Sequence, residues 1–267
     1  MLYACKLILR PESDNHRPTL MTAFECWWHP PPTDLTLSSD EVHVWRADLD
    51  LPAWQIERLA QTLSEDEQHR ANRFYFERDK THFIAGRANL RTILSRYLEL
   101  EPAQLKFSYG SRGKPSLDST STSKALCFNL SHSNGLALYA ITSDRSIGID
   151  LEYIRPLPNA LELAKRFFSP REYAVMSSLP PDQIQEAFFN GWTRKEAYLK
   201  ATGLGLAGLE QVEVSLIPSE PVALLNIQGD PKAAECWSMH QLKLAPGFVA
   251  ALAVEGHGWH LDCLAVV

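Results

Sequence analysis

The chain has no CxxC pair, no long apolar run and no excess of positive charge. Its five cysteines, Cys5, Cys26, Cys127, Cys236 and Cys263, are scattered and odd in number. That speaks against a thiolate zinc site or a disulfide framework and for reduced thiols in a cytoplasmic protein. No stretch approaches the roughly 20 apolar residues that span a bilayer. Met1 to Leu9 is apolar but brief, is interrupted by Lys6 and lacks the layout of a secretory leader, so no membrane contact is expected. A net charge of −6 argues against a nucleic-acid partner, which calls for a basic face. What is present is a hydrophobic content of 45% over 267 residues, ample for one large domain or two smaller ones.

Residues 1–40 read as an irregular extension, with Pro11, Pro18 and the run Pro30-Pro31-Pro32. Trp27 and Trp28 are expected to pack on the body, and Met21 is an alternative start. Val42 to Leu49 reads as a first strand. Ser64-Glu65-Asp66-Glu67 is a capping box that opens a helix. A longer helix is expected over 80–98, where Phe83, Leu90, Ile93, Leu94 and Tyr97 recur on one face. Residues 111–125 form a polar loop, and 136–142 and 146–152 read as strands. Ser169-Pro170-Arg171-Glu172 is a second capping box with proline at the first helical position. A long helix follows over 181–202, with Gly203 as its C-terminal cap. Strand-like runs follow at 212–217, 222–227, 237–244 and 248–254. The fold class is therefore α+β, in two halves of similar build, 41–145 and 146–267.

The chemistry begins in Ile147-Gly148-Ile149-Asp150-Leu151-Glu152. On a strand, residues i and i+2 share a face. Asp150 and Glu152 then project together while Ile149 and Leu151 face the core. Adjacent carboxylates repel unless a cation lies between them, although a strand running into solvent shows the same pair. Glu196 and Lys200, four apart, share a face of the long helix. Phe188, Phe189, Trp192 and Tyr198 mark that helix as largely buried, and a buried carboxylate needs a metal or an ammonium partner. Asp150, Glu152 and Glu196 would form an all-oxygen site without His or Cys, the kind that takes Mg²⁺ together with a substrate phosphate. Phe128-Asn129-Leu130-Ser131-His132-Ser133 reads as a polar turn whose hydroxyls and imidazole suit a phosphate. Gly113-Lys114-Pro115 fixes the backbone around one cation. Between Arg70 and Arg96 stand seven basic residues, Arg87 and Arg91 among them, against two acids. This is either a solvated face or a cradle for several phosphates.

Taken in order, these strings resemble the 4′-phosphopantetheinyl transferase superfamily, in its single-chain, pseudodimeric Sfp type. They are Gly-Lys-Pro at 113–115, Phe-Asn-Leu-Ser-His-Ser at 128–133, Gly-Ile-Asp-Leu-Glu at 148–152, Arg-Phe-Phe-Ser at 166–169 and Trp-Thr-Arg-Lys-Glu-Ala-Tyr-Leu-Lys at 192–200. The resemblance implies an enzyme of the holo-[acyl-carrier-protein] synthase kind. Such an enzyme moves the 4′-phosphopantetheine of coenzyme A to a serine of apo acyl or peptidyl carrier proteins, releasing adenosine 3′,5′-bisphosphate. It implies Mg²⁺ (with Mn²⁺ as an alternative) on Asp150, Glu152 and Glu196. It also implies a coenzyme A site formed by Arg70, Lys114, Ser131, His132, Lys195 and Lys200, with His132 at the 3′-phosphate. Glu196 would be the base and Lys200 would stabilise the leaving phosphate. Where many relatives carry a further basic residue, this chain has Glu67; Arg87 or Arg91 is the candidate replacement. Carriers of fatty-acid, polyketide, peptide and aminoadipate systems all remain open, and a cytoplasmic monomer is expected.

Tyr153 to Ala164, with Ile154, Leu157 and Leu161, offers either core packing or contacts for a carrier helix. Two rivals compete with the whole reading. A Mg²⁺ phosphohydrolase would release phosphate without a carrier, but the extra acids of two-metal hydrolases are missing. A coenzyme A-binding module without catalysis would not need three carboxylates.

Overall fold

The computed structural model describes residues 27–110, 112–118, 126–218 and 220–266; the expectations for Met1 to Leu9, Met21, Cys5 and Cys26 concern residues outside them. The first half runs β1 (Glu41–Asp48), α1 (Ala53–Ala60), α2 (Glu65–Ala71), α3 (Glu77–Leu98), β2 (Phe107–Tyr109), β3 (Pro115–Leu117), β4 (Cys127–Ser133) and β5 (Leu136–Thr142). The second runs β6 (Ile147–Tyr153), α4 (Ala160–Phe167), α5 (Pro170–Ser177), α6 (Pro181–Thr202), β7 (Val212–Val214), β8 (Leu224–Ile227), α7 (Pro231–Ala234), β9 (Trp237–Gln241), β10 (Phe248–Glu255) and β11 (His260–Ala265).

The halves repeat one device. In each, a capping-box glutamate opens a short helix and reaches back to its own cap: Ser64 N donates to Glu67 Oε2 at 3.1 Å and Ser169 N to Glu172 Oε2 at 2.8 Å. Each glutamate is buried and pairs with a cation on the following 22-residue helix. Glu67 takes Arg87 and Arg91 of α3; Glu172 takes Lys195 of α6. Both long helices end on a left-handed residue, Glu99 (φ 56°) and Gly203 (φ 73°). A buried carboxylate is tolerated here because a cation and backbone N–H groups satisfy it.

α3 lays Ala85, Ala88, Leu90, Ile93, Leu94 and Tyr97 against Trp45, Tyr139 and Ile141. The four-stranded sheet beneath it has the order β11-β1-β5-β4, and the other main sheet the order β6-β10-β9. The expected division at 146 does not contain the last strand. β11 runs parallel to β1, with Val44 beside Cys263, so the second half closes on the sheet of the first. Parallel pairing of segments so far apart leaves no local signal, so β11 is not marked in the sequence. A third apolar cluster joins Val42, Val44 and Leu138 of the first half to Ile149, Leu151 and Leu252 of the second.

The polar turn expected over 128–133 is strand β4 instead. β4 lies along β6, and side chains join them: Ile149 N donates to Asn129 Oδ1 (3.0 Å), Ser131 Oγ to Asp150 Oδ1 (2.9 Å) and Tyr153 N to Ser133 Oγ (3.0 Å). Asn129, Ser131 and Ser133 share one face because they are two apart. Ile154, Leu157 and Leu161 are partly buried against the core of the second half, so packing accounts for them. Trp28 packs as expected, donating its Nε1 to Lys243 O at 3.2 Å, whereas Trp27 is exposed.

Candidate active site

Gly148 sets the site. A Cβ there would lie 2.0 Å from Ala197 O and 2.4 Å from Ala201 N, so only glycine lets the backbone of β6 touch α6. That contact fixes Asp150 and Glu152, on the Gly148 face of β6, beside Glu196 and Lys200 of α6. Ile149 and Leu151 are buried in the core on the other face, as the alternation requires.

Asp150 is 5% exposed. Its Oδ1 accepts from Ser131 Oγ at 2.9 Å and from Lys200 Nζ at 2.6 Å, while its Oδ2 is buried with no partner among the described residues. Glu196 Oε1 is likewise buried and unpartnered. Burial, then the charge of Asp150, push Glu196 up to about 6, with Lys200 opposing. Glu152 is also raised, by burial and then Asp150, against the pull of Arg155, whose Nη1 is 3.5 Å from its Oε2. Both glutamates feel the charge of Asp150, as carboxylates brought near one another do.

As they stand, these oxygens do not close on one point: no group of three or more His, Cys, Asp or Glu among the described residues is spaced to hold an ion. Lys200 supplies the positive charge beside Asp150 instead. Two unpartnered buried oxygens in an all-oxygen cluster nevertheless fit a hard divalent cation better than any other group.

Glu196 and Lys200 form one end of a cavity of about 350 Å³. Its wall also carries Arg70, His82, Phe83, Arg87, Tyr109, Arg112, Lys114, Leu130, His132 and Leu199. Basic side chains dominate the polar part of the wall, which makes the space a receptor for a polyanion with an apolar or aromatic portion. His132 is held below its ordinary value, first by burial and then by Lys200 and His82, so it meets a ligand as neutral imidazole at pH 7. Lys114 Nζ donates to the carbonyls of Lys200 and Ala201, the latter at 3.0 Å. It thereby joins the loop of the first half to the C-terminal end of α6.

Residues 146–253 match the 4′-phosphopantetheinyl transferase superfamily and residues 51–144 its N-terminal domain. The 4′-phosphopantetheinyl transferase HetI of a Nostoc species is 53% identical over 232 residues, covering 87% of this chain and 95% of that one. The chain belongs to the 4′-phosphopantetheinyl transferase superfamily. Sfp of Bacillus subtilis is 32% identical over 151 residues, 57% of this transferase and 65% of that one. The L-aminoadipate-semialdehyde dehydrogenase-phosphopantetheinyl transferase of Xenopus laevis is 29% identical over 168 residues, 60% of this chain and 56% of its own.

Of the candidate residues in this transferase, Arg70, Lys114, His132, Glu196 and Lys200 share the cavity wall, and Asp150 is joined to it through Lys200. Three of the expected contacts lie off the cavity wall. Lys195 is fully buried away from the cavity, paired with Glu172 and donating to Val212 O. It lies about 100° round α6 from Glu196, and its pairing with Glu172 turns its ammonium away from the cavity. Ser131 is not on the wall either: its hydroxyl donates to Asp150 and accepts from Lys200. Arg91 is also withdrawn, 1% exposed, donating to Glu67 and to the carbonyls of Pro102 and Leu105. His82, Phe83, Tyr109 and Arg112 line the wall as well, and none of them lies in the motifs that mark the site in the sequence. Counting His with the basic residues of α3, and extending Gly113-Lys114-Pro115 by a few positions, was the available signal.

Proposed function

We propose that this transferase seats coenzyme A in the basic cavity and moves its 4′-phosphopantetheine to a serine of an apo carrier protein. The observation that supports the reading is that Glu196 and Lys200 line that cavity while Asp150 lies behind it, bonded to Lys200, in a chain of this family. Asp150, Glu152 and Glu196 would hold Mg²⁺ (or Mn²⁺), which, when bound, supplies charge neutralisation for the diphosphate.

The carrier serine Oγ attacks the phosphorus that bears the pantetheine arm. The P–O bond to the second phosphate breaks, and adenosine 3′,5′-bisphosphate leaves with the electron pair. Glu196 takes the serine proton; a carboxylate titrating near 6 is largely ionised at pH 7 and basic enough to do so. Lys200 moves its ammonium charge towards the departing phosphate. His132 and Arg70 bind the nucleotide end, and Lys114 fixes the loop that covers it. One chain supplies both walls, so it acts as a monomer, and its free thiols at Cys127 and Cys236 suit the cytoplasm.

Incubation with coenzyme A, Mg²⁺ and an apo carrier should add the mass of one phosphopantetheine to the carrier. Glu196→Gln should lower the rate by about 10²–10⁴-fold with the fold unchanged. A Glu196→Gln variant with wild-type turnover would remove Glu196 from the mechanism.

A further inference from the structure

The final carbonyls of a helix have no partner within it, and Lys200 lies in the last turn of α6. Thr202 Oγ1 serves two of them, donating to Tyr198 O at 3.1 Å and to Leu199 O at 3.3 Å. The carbonyls beyond are met from the other half of the chain. Lys114 Nζ donates to Lys200 O at 2.5 Å and to Ala201 O at 3.0 Å, and Arg112 Nη1 donates to Gly203 O at 3.3 Å. Both cations stand between β2 and β3. The backbone around Lys114 is itself tied down, with Gly110 N donating to Lys114 O at 3.0 Å and Gly113 N to Gly110 O at 2.9 Å. Phe107 of β2 anchors this hairpin edge-on against Phe128 of β4.

The same end of α6 is also held by its own half. A Cβ at Gly148 would lie 2.4 Å from Ala201 N, so β6 abuts Ala201 while Lys114 holds its carbonyl. Lys200 is thereby fixed twice: its backbone by Lys114, its ammonium by Asp150 and Ser131. The backbone hold bears on the chemistry because lysine is a point charge on a flexible stem. Such a group reaches a chosen oxygen reproducibly only from a fixed Cα, and helix ends fray where their carbonyls go unmet. A cation there is favoured by the helix dipole as well. The two carbonyl bonds commit most of the donors of Lys114 to α6.

We infer that Lys114, assisted by Arg112, is a positioning residue: it caps α6 from the other half of the chain and sets the reach of Lys200 to the departing phosphate. The closure of the two halves is in this way read out at the reacting lysine itself. The inference rests on the reading that Lys200 stabilises that phosphate during transfer to a carrier.

The test is a double-mutant cycle on carrier modification, with calorimetric binding of coenzyme A to each chain. Lys114→Met should lower kcat by about 10–100-fold and leave the Kd of coenzyme A within about threefold. In a Lys200→Met background the same substitution should cost less than about twofold, because the group it positions is gone. Equal losses in both backgrounds, an unchanged kcat, or a Kd raised as far as kcat falls would overturn the assignment. If Lys114→Met does not fold, Lys114→Gln, which can still meet one carbonyl, is put through the same cycle under the same criteria. Hydrogen exchange keeps this inference apart from the reading beneath it: amides in the last turn of α6 should exchange at least about tenfold faster in Lys114→Met. Unchanged exchange would overturn the cap. A wild-type chain that modifies no carrier would count against the proposed transfer, and the exchange would then decide whether Lys114 caps α6.

Discussion

Lys200 Nζ stands 2.6 Å from Asp150 Oδ1 and 3.0 Å from Ser131 Oγ, one turn of α6 beyond Glu196. The side chain proposed to stabilise the leaving phosphate is thus also the cation that neutralises the carboxylate cluster when nothing else does. A divalent ion drawn to Asp150 would compete with that ammonium and free it for the substrate.

Lys200→Met should therefore separate two effects. Without added metal, Asp150 loses its cation, and Tm should fall by an amount corresponding to about 1–3 kcal/mol. Mg²⁺ should raise the Tm of the variant more than that of the wild type, because no ammonium opposes it. Thermal melts with and without chelator check this, and an equal Mg²⁺ response in both chains would refute the competition.

Gly148→Ala should strike the site through the backbone. The added methyl meets Ala197 O and Ala201 N, neither of which is a flexible side-chain end. α6 must move off β6 at a cost of about 1–3 kcal/mol. Because Glu196 and Lys200 ride on α6 and Asp150 on β6, transfer should fall by at least ~10²-fold even where the variant stays folded. Carrier modification measured alongside circular dichroism tests both parts.

Lys195→Met should behave as a core variant rather than a binding one. It leaves Glu172 buried without its cation, which costs about 3–5 kcal/mol. The affinity for coenzyme A of whatever fraction stays folded should be unchanged. A raised Kd for coenzyme A at wild-type Tm would return Lys195 to the binding site.

His240 makes stability depend on pH. Burial, then the charge of His257, bring it down to about 4, whereas the unfolded chain takes up that proton near its ordinary value of about 6.5. The stability is present above pH 6.5 and is lost as pH falls towards 4, because there the unfolded state binds more protons. The loss from this one residue is about 3 kcal/mol by pH 4, or roughly 6–12 °C in Tm. In His240→Gln the Tm should decline less steeply between pH 6.5 and 4; an identical slope would assign the dependence elsewhere.

Local chemistry was legible from the chain alone. The two capping boxes open helices at Glu65 and Pro170, Gly203 ends α6, and β6 alternates core and site residues as a strand must. Each of these rests on bonds or periodicities spanning fewer than about five residues, so the sequence carries the whole cause. Tertiary packing decided the rest. Whether Lys195 or Glu196 faces the cavity depends on which side of α6 meets Glu172, and both residues are polar. Ser131 and His132 alternate on β4, so the hydroxyl turns to Asp150 and the imidazole to the cavity once the segment is a strand rather than a turn. The return of β11 to β1 and the clasp of Glu67 on Arg87 join residues distant in sequence. Such contacts are set by how two halves close on one another, and no window along the chain contains both partners.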